Sequence, residues 1–420
     1  MRHFLRAAVA AWSALSLAGC FLFPGAGATG GQSDAIHVGI LTSRSGSNAA
    51  SGEPQINGAQ LALSHLNAAG GVAGRPLALD IVDDQSDPAR APAAARQLLD
   101  AGAVAIIGAM ASSITKEAVL QAAKPAGCVV ISPGSTSPDF SDPAKIDHGG
   151  YFFRTIPSDA LQGKVLADRA IARGYRKLGI IHVDNPYGNG LAAVLKRTFE
   201  ASAGRTTISA RYAEEATPRT SYDAEIRPVL LENPDAIVLV AYTGEGSQIL
   251  KDWISSNLSP TVPWLFSESL QSDAFVANVA NAARLEGFTG TSPYSGGPDY
   301  DRFAQAYSET YKTAPPLYSA NSYDAAILVA LAMGRAGAAT RQAVRDNLRA
   351  VAGGSGTPIR PGPDGIRSGL AELKAGRAVS YQGASGPLDF DDRGDVKSGT
   401  YRIWAIKGGR IEETAEILKP

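Results

Sequence analysis

A chain of 420 residues, 45% of them hydrophobic, exceeds what one compact core usually fills. It predicts two domains of about 150–200 residues each. Its 39 basic and 40 acidic side chains nearly cancel. That leaves no basic excess to neutralise phosphates, so nucleic acid is excluded as the main partner. Five scattered histidines, with no HExxH or CxxC spacing, argue against a resident metal, and no cofactor is expected.

The first segment reads as an address and not as fold. Arg2 and Arg6 form a short cationic region, and Ala7 to Leu17 form an apolar stretch well short of the roughly 20 residues that span a bilayer. Leu17-Ala18-Gly19-Cys20 follows. This predicts a cleaved leader over 1–19, a lipidated Cys20, and a Gly/Ala-rich tether over 20–33. Simple cleavage near Ala18 is the plainer alternative. The tether holds Gly25-Ala26-Gly27-Ala28-Thr29-Gly30, a literal GxGxxG. It follows no strand and opens no helix, so it carries no dinucleotide reading. Cys128, the one later cysteine, can form no internal disulfide and reads as a small core residue.

From Ala35 onward, short β-rich runs alternate with helices. Ile36–Leu41 and Leu77–Val82 read as strands, with a helix between them marked by Ala59, Ala62, Leu63 and Leu66 and ended by Gly70-Gly71. A second helix is expected from about Pro88 to Ala101. Apolar runs at Ala103–Ile107 and Cys128–Ile131, bounded by Gly and Pro, suit parallel strands buried on both faces. A second series begins after Phe152-Phe153-Arg154: strand Leu178–Val183, a helix from about Gly188 to Ala203, and strands at Ala236–Val240 and Trp264–Phe266. Residues 351–386, rich in Gly, Pro and Ser, read as loop around a crossing between domains. The predicted class is α/β, with two Rossmann-like lobes, each a mostly parallel sheet flanked by helices.

Ligands of such sheets sit beyond the carboxyl ends of strands. Ile107 to Ser113 leaves one strand, turns on Gly108 and enters a helix near Ser112. Ile131 to Pro138 leaves the next strand in the same way and brings Gly134, Ser135 and Thr136. Hydroxyls and unpaired N–H groups at such places bind an anion well, although serines there also simply cap helices. From the other series come Tyr187, Tyr242 just past Val240, and Glu268 just past Phe266. A zwitterion needs donors at one end and a carboxylate at the other, which Glu268 could supply beside two aromatic rings.

Gly58-Ala59-Gln60-Leu61-Ala62, Asn67-Ala68-Ala69-Gly70-Gly71-Val72-Ala73-Gly74-Arg75 and Asp83-Asp84-Gln85-Ser86-Asp87-Pro88 continue the pattern. With them go Ile131-Ser132-Pro133, Tyr151-Phe152-Phe153-Arg154-Thr155-Ile156-Pro157 and Tyr187-Gly188-Asn189-Gly190. As an ordered set these resemble the branched-chain amino acid-binding proteins of ABC importers, over nearly all of the chain from about residue 35. The resemblance implies a type I periplasmic binding fold with three crossings that closes by a hinge. It places lobe 1 over 34–155 and 286–390, and lobe 2 over 156–285 and 391–420. It further implies carboxylate binding at Ser112, Ser113, Gly134, Ser135 and Thr136, tyrosine contacts at Tyr187 and Tyr242, and an ammonium-binding Glu268. Ser51 stands near the place where many members carry a first-loop aromatic, so the side-chain preference departs from the family pattern. Ser86 and Ala111 occupy positions that some relatives bridge with a disulfide.

The expected function is therefore capture of a small amino acid or related amide for the membrane permease of an ABC importer. The protein would be a monomer in the periplasm or at the cell surface, held to the membrane through Cys20. A lipid-anchored sensor of the same fold is the alternative. A hydrolase is a lesser one, since no GxSxG elbow or P-loop occurs and no catalytic residue is assigned.

Overall fold

Buried apolar runs of the kind seen at Val38–Leu41 and Leu178–Val183 need cover on both faces, and the chain supplies it with helices between parallel strands. The computed structural model describes residues 34–202, 204–279 and 281–420. The expected leader, Cys20, the tether and the Gly25–Gly30 run lie outside the described residues.

The first sheet contains β1 (Ile36–Thr42), β2 (Leu77–Asp83), β3 (Ile106–Gly108), β4 (Val130–Ser132) and β5 (Phe152–Arg154), in the order β2-β1-β3-β4-β5 with every pairing parallel. The second contains β6 (Lys177–Asp184), β7 (Arg205–Ala213), β8 (Ala236–Val240), β9 (Trp264–Phe266), β10 (Thr289–Pro293), β13 (Tyr401–Lys407) and β14 (Arg410–Leu418). Its order is β14-β13-β10-β9-β8-β6-β7. The last two strands run antiparallel, and the largely exposed β14 carries Arg410, Glu412, Glu413 and Glu416 on the open edge, where charge discourages further pairing. A small parallel pair, β11 (Thr357–Ile359) and β12 (Val379–Tyr381), lies outside both sheets.

Each lobe has an apolar interior suited to its elements. Helix Ser319–Ala336 is buried from Ser319 through Met333 and packs against helix Gly52–Ala68, so it needs no polar face. In the other lobe Gly290 sits opposite Trp404; a Cβ there would lie 2.2 Å from the indole Cζ2. The missing side chain lets the indole lie flat over the strand and stack on Phe266, centroids 5.7 Å apart. Cys128 is fully buried and its thiol is pushed up to about 12, as suits a small core residue.

Three expectations are corrected. Residue 286 does not open the return to the first lobe: Thr289–Pro293 pairs with Leu265-Phe266 and with β13, so the chain leaves the second sheet only after Pro293. The stretch 351–386 is not loop: β11 and β12 pair, and helix Pro363–Lys374 buries Ile366, Gly369 and Leu373 beside Ser319–Ala336. The helix expected from Gly188 starts at Pro186, because the Asn185 side chain accepts from Gly188 N at 2.9 Å and caps it.

Candidate functional site

The loops at the carboxyl ends of the two sheets face each other. From the first lobe, β3 leads into Ala111 and helix Ser112–Ala118, and β4 leads into the turn 133–137. These two loops are packed tightly: a Cβ on Gly134 would lie 2.3 Å from Met110 Sδ and 3.2 Å from Met110 O, so a larger residue there would have to displace the Met110 side chain. Ser132 Oγ accepts from the amides of Gly134 (3.2 Å) and Ser135 (2.8 Å), and Ser112 Oγ accepts from Ser137 N at 3.2 Å.

This network gives several of the expected anion donors partners within the protein. The Gly134 and Ser135 amides serve the turn itself. The Ser135 hydroxyl lies 2.7 Å from Thr115 Oγ1 and donates toward Ala109 O, so it braces the two loops. Ser113 Oγ donates to Glu214 Oε1 of the opposite lobe at 2.7 Å. Thr136 is different: its hydroxyl is fully buried and has no partner in the protein. Ser51 closes the short turn Ala49–Ser51 and is half-buried at the mouth of a cleft of about 530 Å³, whose other walls include Glu268, Ser269 and Tyr318.

From the second lobe, Tyr187 in the first turn of helix Pro186–Ala201 stacks on Tyr242, rings 5.5 Å apart. Tyr242 OH accepts from Asn185 Nδ2 at 3.0 Å, and Tyr187 OH accepts from Ser269 Oγ at 3.1 Å. Glu268, just past β9, is 1% exposed; Oε1 accepts from Ser269 Oγ at 3.3 Å, and Oε2 has no partner. Thus Thr136, Tyr187, Tyr242 and Glu268, drawn from four loops, are all buried where the lobes meet.

Two further side chains belong to this cluster and were not anticipated. Asp159 opens helix Asp159–Ala172; its amide donates to Thr136 O at 2.8 Å, and both carboxylate oxygens are buried without a partner. After a serine at a helix start an acidic residue reads as a cap, so the sequence hides it. Tyr318 holds φ +74°, rare for a bulky residue, and its buried hydroxyl is unpartnered. The preceding Pro315-Pro316 is the only local hint.

Charge is unbalanced here. Burial lifts the Glu268 carboxyl from an ordinary 4.5 to about 7, against the pull of its own amide and of the neighbouring Tyr187, Gln162 and Ser269 side chains. Burial raises Asp159 well above its usual range and the Glu268 charge raises it further, while the nearby Thr136 hydroxyl, not within hydrogen-bonding geometry, and the Arg154 charge oppose. Arg154 cannot neutralise the pair, because its Nε is 2.7 Å from Asp395 Oδ1. Among the described residues no group of three or more His, Cys, Asp or Glu side chains is placed to hold a metal, and no helix is long and apolar enough to cross a membrane.

Two lobes that gather hydroxyls, tyrosines and unpaired carboxyls between their strand ends define a type I periplasmic binding protein fold. The chain belongs to the periplasmic binding protein family, whose sequence profile matches residues 35–410. It is 29% identical over 369 residues to the chemotactic signal transduction system substrate-binding protein BasB of Halobacterium salinarum, covering 85% of this chain and 83% of that one. It is 27% identical to a leucine-specific-binding protein of Salmonella typhimurium, covering 89% and 92%. A leucine-binding protein from Thermotoga maritima superposes with TM-score 0.76 at 20% identity, covering 92% of this chain and 99% of that one. The resemblance to branched-chain amino acid-binding proteins thus holds over nearly the whole described chain.

Proposed function

We propose that this protein captures a small α-amino acid by closure of its lobes and hands it to an ABC permease. One observation carries the reading. Thr136 Oγ1, the Asp159 carboxyl oxygens and Glu268 Oε2 are buried acceptors without partners, and the nearby guanidinium is already paired. Buried acceptors are normally satisfied. A primary ammonium brings three N–H donors and a positive charge, which suits three acceptors of which two are acids. The amino acid's own carboxylate then faces the first lobe around Ser112, and its side chain lies against Tyr187 and Tyr242. With Ser51 in place of a ring, the pocket admits side chains other than leucine.

Calorimetry with α-amino acids, their amides and aromatic carboxylates tests this. Binding of at least one free α-amino acid, recovered chemically unchanged, is expected, with much weaker binding of its N-acetyl form. Binding confined to aromatic carboxylates, or an N-acetyl form held as tightly, would overturn it; a cleaved ligand would favour the hydrolase. The likeness to BasB supports a second reading, an anchored sensor, and loss of ligand uptake in cells lacking the protein separates transport from sensing.

Anchoring is proposed to run through Cys20, on the strength of Leu17-Ala18-Gly19-Cys20 after an apolar stretch. Cys20→Ser is expected to move the protein from the membrane fraction to the soluble one. Membrane association unchanged by that substitution refutes the anchor.

A further inference from the structure

Glu214 lies in the segment after β7, in the second lobe, and is half-buried. Its Oε1 takes two hydrogen bonds, from Ser113 Oγ of the first lobe at 2.7 Å and from Asn185 Nδ2 of its own lobe at 2.8 Å. Asn185 is not a passive neighbour. Its Oδ1 caps helix Pro186–Ala201 through Gly188 N, and its Nδ2 also reaches Tyr242 OH, whose ring stacks on Tyr187. Ser113 adjoins Ser112, which is tied to the 133–137 turn. A single carboxylate oxygen therefore joins the loop that carries Ser112 to the side chain that orients both cleft tyrosines.

The surrounding contacts between lobes differ in kind. Ser47 N donates to Ala216 O at 3.0 Å, Ser47 Oγ to Glu215 O at 2.9 Å, and Ser137 Oγ to Pro186 O at 2.7 Å. Each of these ends on a backbone carbonyl and touches no cleft tyrosine. Two donors on one half-buried carboxylate make the stronger, charge-assisted bonds.

We infer that Glu214 is a positioning residue for ligand capture: it latches the closed lobes through Ser113 and, through Asn185, sets Tyr242 and Tyr187 against the bound molecule. The inference rests on the cleft being the ligand site, but the latch forms from protein groups alone. Burial pushes the Glu214 carboxyl up while Ser113 and Asn185 pull it down; opening the lobes would exchange the Ser113 donor for water and leave Asn185, on the same lobe, in place.

The test combines the distance between lobes in the ligand-free protein, from a spin-label pair placed one on each lobe, with stopped-flow binding of L-leucine. Glu214→Ala and Ser113→Ala are each expected to lengthen the mean distance and to speed L-leucine dissociation about tenfold, with association unchanged. The double substitution should add nothing further. Glu214→Gln keeps an acceptor for both donors and should restore the distance and most of the dwell time. An unchanged distance in both alanine variants, or slowed association with normal dissociation, overturns the latch. Should wild type bind no L-leucine, the dissociation arm is run with whichever α-amino acid calorimetry finds bound, failure of every one counts against the amino-acid reading, and the distance arm still decides the latch.

Discussion

Glu268→Gln is expected to weaken amino-acid binding by about 1.5–3 kcal/mol, roughly 10- to 150-fold, the scale of a charged hydrogen bond. The amide keeps the size of the side chain and can still accept from Ser269, so the loss reports the charge. The effect should stay below that of removing both acids. Burial still raises Asp159 when Glu268 is neutral, but the like charge is gone, so Asp159 ionises more readily beside the ammonium and takes over part of its binding. Glu268→Gln with Asp159→Asn should therefore cost more than the sum of the two singles. Calorimetry on the four proteins measures this; affinity unchanged in Glu268→Gln removes that residue from the site.

The same substitution should flatten a pH dependence of closure. The Glu268 carboxyl is raised by burial from 4.5 to about 7 in the closed cleft without ligand. A raised carboxyl binds its proton more tightly in that form than in a solvated one. Its contribution is fully present below 4.5, and closure without ligand loses it as pH climbs through about 7. Scattering should show the ligand-free protein expanding between pH 5 and 8, and the amino-acid-saturated protein staying compact at both. Equal radii for ligand-free protein across that range contradict the argument.

What the sequence revealed follows from how far each signal reaches. Buried parallel strands announce themselves as apolar runs, so Val38–Leu41, Cys128–Ile131 and Ala236–Val240 were legible, as was the place of Glu268 just beyond Phe266. Strand Thr289–Pro293 was not: Thr-Gly-Thr-Ser-Pro has no apolar run, and the strand exists because Trp404 covers its glycine. The bracing contact of Ser135 was not legible, because its hydroxyl partner, Thr115, stands twenty positions earlier, a pairing that only folding makes. Asp159 hid as a helix-start acid and Tyr318 in a backbone conformation that composition does not encode. Local chemistry was readable; which groups were already spent on neighbours was not.

Asp395→Ala is expected to destabilise the protein by about 3–5 kcal/mol, the cost of leaving a buried charge unpaired. Arg154 is fully buried at the end of β5, and its Nε donates to Asp395 Oδ1 at 2.7 Å. Its other nitrogens donate to Ser135 O (3.2 Å), Ser137 O (2.9 Å) and Ser141 Oγ (3.1 Å), so the guanidinium bridges the carbonyls on either side of Thr136. Burial pushes Asp395 up, but the Arg154 charge and the hydrogen bonds from Arg154 and Ser141 prevail and hold it below the ordinary carboxylate range. A depressed carboxyl contributes stability that is present above its ordinary value and is lost as pH falls through the lowered one. Wild type should thus lose stability on the acid side along a limb that Asp395→Ala lacks. Replacing both partners, Arg154→Met with Asp395→Leu, removes the stranded charge and should recover much of the loss, while the 133–137 turn, freed of its tie, should still bind ligand poorly. Urea unfolding of wild type and the two variants, paired with calorimetry, separates stability from site geometry. A single Asp395→Ala costing less than 1 kcal/mol would mean the guanidinium finds solvent, contrary to its complete burial here.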